Sequence, residues 1–285
     1  MKVSRICRIA FLIITGLSAI FFISCSPEGE SRNATSGGNE VFVKADISLE
    51  PALLDLAQDY QYIASVTVRF DFASAAEILN TSADDSVDVY IFPNDHLTDP
   101  AREQNLADTT AAITLAYTVP CLIVSRINPV MVSNLTDLLD EQIRIGIVDP
   151  DTDILGLFSL EIFQNANLYD EISHRLIPIE ASAIVLADKV SVNELDAAIC
   201  WTMAYNWNPE SFEIVLLMPS EIPRVAAVTA VRAAVPADSS SADRLMTYLK
   251  SDRCLAVFRD WGYLITESDI DMYAPAAKVG GKPEN

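Results

Sequence analysis

NPVMVSNLTDLLDEQIRIGIVDPDTDILGLFSLEIF, residues 128–163, carries the fold in one run. The spacing predicts a short helix near 134–140, then RIGIVD (144–149), a β-branched run too short for a helix. The turn residues Asp149 to Asp153 follow, and an apolar period predicts a second helix over 154–166. A buried strand leading through a tight acidic turn into an amphipathic helix is half of a parallel βαβ unit.

Working outward, the same alternation fills the body. VFVKADI (41–47), VTVRFDF (66–72) and VDVYIF (87–92) read as strands, with helices expected at 49–60 and 74–82 between them. Beyond a less regular stretch, strands are expected at 119–124, 175–180, 196–201, 213–218 and 224–231, with a helix at 182–192 and two more at 241–250 and 252–261. Such alternation predicts an α/β protein of mainly parallel sheets covered on both faces by helices. Two strand-like segments with a proline, LAYTVP (115–120) and LMPSEIPR (217–224), are the expected crossings between two lobes. They divide the body into a discontinuous lobe 1 (41–117 and 224–272) and a lobe 2 (118–223), with 273–285 as a C-terminal tail. A hinged protein that encloses a ligand in a cleft between lobes has this layout.

Composition narrows the function. The chain has 285 residues, 51% apolar, and 40 Asp and Glu against 19 Lys and Arg, a formal charge of −21. That charge opposes nucleic acid, because affinity for the phosphate backbone comes from Lys and Arg releasing counterions. Only nine glycines are present, and in the body they are the isolated Gly146, Gly156 and Gly262. Neither G-x-G-x-x-G nor a P-loop can be drawn from them. His96 and His174 are far apart and lack companions at ligand spacing, which argues against a zinc site. No G-x-S-x-G is present, so an exported hydrolase lacks its nucleophile motif, and an enzyme is not expected.

Residues 1–24 have Lys2, Arg5 and Arg8 ahead of an uncharged apolar run from Ile9 to Ile23, the pattern of a signal peptide. The run is shorter than the roughly 20 residues a spanning helix needs. Phe22-Ile23-Ser24-Cys25 resembles a bacterial lipobox, which makes Cys25 the expected lipidation site and residues 25–40, rich in Ser, Gly, Asn and Glu, a flexible tether. Cleavage leaves 261 residues carrying about −24, exported and anchored to a membrane by the lipid. Cys121, Cys200 and Cys254 sit in apolar runs and are expected as buried free thiols.

Three segments resemble one family, the molybdate- and tungstate-type substrate-binding proteins of ABC transporters, within the type II periplasmic binding protein class. They are VFVKADISLEPALLDLA (41–57), the 128–163 stretch, and LMTYLKSDRCLAVFRDWGYLI (245–265). The resemblance covers about 41–265. It implies a two-lobed fold with a ligand cleft, no catalysis and no cofactor. It further implies a small oxyanion ligand, partnership with a permease and its ATPase, and a monomer. Carried over position by position, the binding residues fall on Ser48, Ser74, the Leu155 amide, Ser182 (or its neighbour Ala181) and Trp201, which stands where the family has tyrosine. An indole N–H can donate but not accept, so that exchange alters the chemistry.

Four of these positions begin helices, whose free N–H groups and positive dipole end hold anions without Lys or Arg. Each also has a plainer reading. Ser48 and Ser74 suit ordinary N-caps, Trp201 suits lobe packing, and Glu50 suits a solvated first-turn acid. Asp46 and Glu50 flank Ser48, and an inward carboxylate would repel an oxyanion unless it ligates the metal, as in a related archaeal tungstate-binding subfamily. The alternative is the same fold holding a different anion or small polar solute. The remaining aromatic and histidine residues, Trp207, Trp261, His96 and His174, are expected in packing or at the surface.

Overall fold

A computed structural model describes residues 40–80, 86–127 and 131–283. The signal peptide, Cys25 and the tether up to residue 39 lie outside the described residues. No described helix is long and apolar enough to cross a membrane.

The strands are β1 (Glu40–Asp46), β2 (Thr67–Ala73), β3 (Val89–Phe92), β4 (Ala107–Thr118), β5 (Pro120–Ser125), β6 (Ile145–Val148), β7 (Ile177–Ile179), β8 (Ala197–Trp201), β9 (Phe212–Val215), β10 (Arg224–Ala233) and β11 (Lys278–Val279). The helices are α1 (Glu50–Ala64), α2 (Ala75–Asn80), α3 (Thr98–Glu103), α4 (Ile154–Asn165), α5 (Tyr169–Ile172), α6 (Ala183–Ser191), α7 (Ser239–Leu249), α8 (Asp252–Asp260) and α9 (Glu267–Tyr273). One sheet has the order β11-β10-β3-β1-β2, with β4 also on β10; the other has β7-β6-β8-β5-β9. The chain passes between them at Val119, from β4 to β5, and returns between β9 and β10.

The sheets are mixed. β1, β2 and β3 are parallel, as are β6, β7 and β8, but β10 runs antiparallel to β3 and β4, and β5 runs antiparallel to β8 and β9. The expectation of mainly parallel sheets therefore holds for the three-strand βαβ units and the short β10–β11 pair, not for the strands that cross between sheets. The strands next to each crossover reverse direction because they enter from the opposite lobe and need no crossover helix. β4, twelve residues long, fills much of the stretch that looked irregular in sequence, and the 134–140 helix is a 3₁₀ turn, Leu135–Leu139, closed by an Asn134–Asp137 capping box.

Helices cover the sheets through the apolar stripes their sequences carry. α1 buries Ala52, Leu53, Leu56 and Tyr60, and α4 buries Ile154, Leu155, Phe158, Ile162 and Phe163. The main core runs continuously through both sheets, and a smaller one lies under α2 and α3 against Tyr90, Phe92 and Val231. Arg224, at the start of β10, reaches the other sheet's layer and forks onto Glu161 of α4 with two N–O distances of 3.1 Å. Both side chains are largely buried, so the pair is held where water competes little.

Candidate functional site

The parallel strands of each sheet end together. Asp46 pairs with Ala73 and Ala45 with Ile91, so residues 46–48, 74–75 and 93–96 leave the first sheet at one edge. In the second sheet Val148 pairs with Ile179 and Gly146 with Ala198, so 149–155, 180–183 and 201–202 leave at one edge. Ligands of open α/β sheets bind at such carboxyl edges. Here the two edges face each other across a cleft of about 370 Å³, walled by Ala75, His96 and Leu97 on one side and Pro150, Asp153 and Ile154 on the other.

Asp46 is buried at the end of β1. Its Oδ1 accepts the Ser48 amide at 2.9 Å and the Ser48 hydroxyl at 2.5 Å, while Oδ2 has no hydrogen-bond partner. Burial raises its pKa above the ordinary carboxyl value, against the Ser48 bonds and the Ala75 amide, which favour the charged form. An orphaned buried carboxylate oxygen is costly and calls for a partner.

Asp153 is the N-cap of α4, where its Oδ1 accepts the Leu155 amide at 2.8 Å. The turn before it is set by Asp149, whose carbonyl accepts from Thr152 and Asp153. Gly156 lets this helix start sit against the end of β6: a Cβ there would lie 2.4 Å from the Val148 carbonyl oxygen. Burial, and after it the charge of Asp46, pushes the Asp153 carboxyl up to about 7. Two carboxyl groups, one from each sheet, thus come close enough for the charge of Asp46 to act on Asp153, which lines the cleft. Tyr263 lies behind them, its phenol raised by burial and then by the Asp46 charge.

Of the positions expected to bind, Ser48 and Leu155 come to this point, each already donating to one of the two aspartates. Ser74 does not: its hydroxyl and amide bond Glu77 at 2.8 and 2.9 Å and Glu77 N–H returns to Ser74 Oγ, a capping box at the start of α2. The donor that faces Asp46 there is the next amide, that of Ala75. Ser182 caps α6 without a side-chain bond, and the Ala181 amide is used by the Ile179 carbonyl. Trp201 ends β8 at the right edge but is buried, its ring edge-on to Phe158 at 5.6 Å. Glu50 is half-buried in the first turn of α1.

His96, expected at the surface, instead forms part of the cleft wall, with its Nδ1 3.0 Å from Asn94 Nδ2; burial lowers it to about 4. His174 is exposed. Trp207 and Trp261 pack on the core edge, Trp261 donating to Asp55 at 2.8 Å. Cys121, Cys200 and Cys254 are buried free thiols, and burial holds Cys200 and Cys254 near 12.

Sequence reasoning passed over Asp153 as a site residue. Its signal was an Asp at N-cap spacing, three residues ahead of Gly156. Among the described residues no three His, Cys, Asp or Glu side chains group to hold a metal ion.

The fold is shared with known binding proteins. The periplasmic molybdate-binding protein of Azotobacter vinelandii is 16% identical and superposes with a TM-score of 0.68 over 80% of this chain and 100% of its own. The sulfate-binding protein SubI of Mycobacterium tuberculosis is 13% identical (TM-score 0.69; 85% and 94%). Iron-bound HitA of Pseudomonas aeruginosa is 10% identical (TM-score 0.60; 79% and 85%). These similarities establish the type II periplasmic binding protein fold. No curated protein sequence matches. Residues 41–264 match the sequence profile of the bacterial extracellular solute-binding proteins, and the chain belongs to that family.

Proposed function

We propose that this non-enzymatic, extracellular solute-binding protein captures a metal oxyanion, molybdate or tungstate first, for an ABC permease and its ATPase. In this reading lobe 1 (41–117 and 224–272) and lobe 2 (118–223) close over the ligand, and Cys25 carries the lipid that keeps a monomer at the membrane.

The observation that carries the reading is the convergence of donors from both sheets on one carboxylate pair. Ser48 and the Leu155 amide already hold carboxyl oxygen there, and the Ala75 amide favours the charged form of Asp46. They are helix-start donors of the kind that bind oxyanions without basic residues. Asp46 and Asp153 then approach the metal rather than its oxo groups, raising its coordination number with hard oxygen ligands. The orphaned Asp46 Oδ2 is the natural first ligand. A bare hard cation such as ferric iron is the second reading, favoured by the same pair. It needs about six oxygen ligands, whereas an oxyanion brings four of its own.

Thermal melting of the mature chain with about 1 mM molybdate, tungstate, sulfate, phosphate or ferric iron tests this. Ligand at about 100 times its Kd stabilises by about 2.7 kcal/mol. Molybdate and tungstate should raise Tm, and Asp46→Asn with Asp153→Asn should abolish the rise. Sulfate and phosphate should not, because their central atoms accept no further ligands. A shift with iron alone would replace the first reading by the second, and no shift with any ligand would remove both.

A further inference from the structure

We infer that residues 278–283 form a fixed strap at the mouth of the interlobe cleft and that Lys282 on this strap governs the entry of charged solutes. The inference rests on the oxyanion reading and adds a residue that neither the family profile nor the carried-over positions include. The profile match ends at residue 264, so the strap lies outside the matched region.

Its backbone is held from several sides. Lys278 and Val279 pair with Arg224 and Val225 of β10, and the Gly280 amide bonds the Val225 carbonyl at 2.8 Å. The Gly280 carbonyl accepts Arg224 Nη1 at 2.7 Å, the Gly281 carbonyl accepts Asn94 Nδ2 at 2.8 Å, and the Gly281 amide donates to Asp95 Oδ1 at 2.6 Å. Asn94 Oδ1 accepts the Ala227 amide, so the clamp is itself anchored in β10. Gly280 and Gly281 have φ of +63° and +72°, and a Cβ on Gly280 would meet Asp95 Oδ1 at 2.4 Å. Only glycine allows this turn. The same Arg224 forks onto Glu161 of α4, which ties the strap to the layer that carries Asp153.

The turn delivers Lys282 to the cleft, where it is the one lysine or arginine among the described lining residues. The other charged groups facing it are Asp151 and Asp153 across the cleft and Asp95, already bonded to Gly281. His96 beside it is kept neutral at physiological pH by burial. On a chain of formal charge −21, an incoming anion meets net repulsion. A single ammonium at the mouth acts within a Debye length of about 8 Å, enough to change the entry rate of a doubly charged anion by roughly three- to tenfold.

The test is stopped-flow tryptophan fluorescence of the mature chain mixed with molybdate or tungstate, in wild type, Lys282→Glu, Lys282→Gln and Lys282→Arg. Lys282 is exposed, so these variants are expected to melt with the wild type. At about 20 mM salt Lys282→Glu should bind three- to tenfold more slowly, Lys282→Gln should fall between, and Lys282→Arg should match wild type; at about 500 mM the differences should vanish. Oxyanion binding at one rate in all four proteins would overturn the strap's role and leave the oxyanion reading intact. If the wild type takes ferric iron instead, the oxyanion reading fails, while the strap predicts the opposite sign, faster uptake by Lys282→Glu, and an unchanged rate would overturn it too. Binding of neither solute would overturn both.

Discussion

Replacing Asp153 by Asn isolates the electrostatic cost of the site, because Asn caps a helix about as well as Asp and keeps an acceptor for the Leu155 amide. A carboxyl held at about 7 instead of its ordinary 3.8 ionises in the folded state at a cost of about 4 kcal/mol, at about 1.36 kcal/mol per tenfold change in proton affinity. Asp153 keeps some solvent exposure at the cleft edge, which reduces the usable figure to about 2 kcal/mol. The sign follows from linkage. Between about pH 4 and 7 the folded chain binds a proton that the unfolded chain has lost, so wild-type stability falls as pH rises through that window. The Asn variant escapes the fall. Its Tm should equal wild type at pH 4 and exceed it by about 4–8 °C at pH 8, for a body of this size at about 2–4 °C per kcal/mol. Differential scanning calorimetry at the two pH values measures this. A gain of the same size at both pH values, or a lower Tm at pH 8, would refute the idea that burial holds the Asp153 carboxyl protonated.

Other changes probe the scaffold around the site. Gly156→Ala should destabilise by about 2–3 kcal/mol in urea, because the new Cβ lies 2.4 Å from a backbone oxygen that cannot swing away. Glu161→Gln leaves Arg224 largely buried with its charge unmatched and should cost about 3 kcal/mol in the same assay, whereas an exposed pair such as Arg102–Asp99 should cost under about 1 kcal/mol. Cys121, Cys200 and Cys254 should not react with a thiol reagent at pH 8 until denaturant is added, since all are buried and raised by burial. Ser74→Ala should cost about 1 kcal/mol of stability as a lost cap and leave solute affinity unchanged, while Ser48→Ala should weaken the solute.

Much of this was legible along the chain. The strand, acidic turn and helix of 144–166 could be read because β6 is buried on both faces and α4 is apolar through most of its length. β4 escaped notice, since its middle carries the exposed Ala111 and Ala112 and no clean alternation. The antiparallel strands next to the crossovers have the same local signal as parallel ones, because strand direction is a property of neighbours and not of side-chain period. The role of Ser74 was ambiguous along the chain for a comparable reason. Its spacing suits either role, and the deciding partner, Glu77, is three residues on and closes a capping box.

What the sequence determined by itself is everything local: the alternation of strands and helices, the helix starts with their capping residues, and an acidic composition that opposes nucleic-acid binding. Those follow from periodicity and turn chemistry within a few residues. Tertiary structure decided what those helix starts bind. Asp46 and Asp153 are 107 positions apart, and the sequence singled out only Asp46, as an acid beside Ser48. Only when the two sheets bring their carboxyl edges together does burial remove the water around them, so that both carboxyls gain proton affinity and the Asp46 charge raises that of Asp153 further.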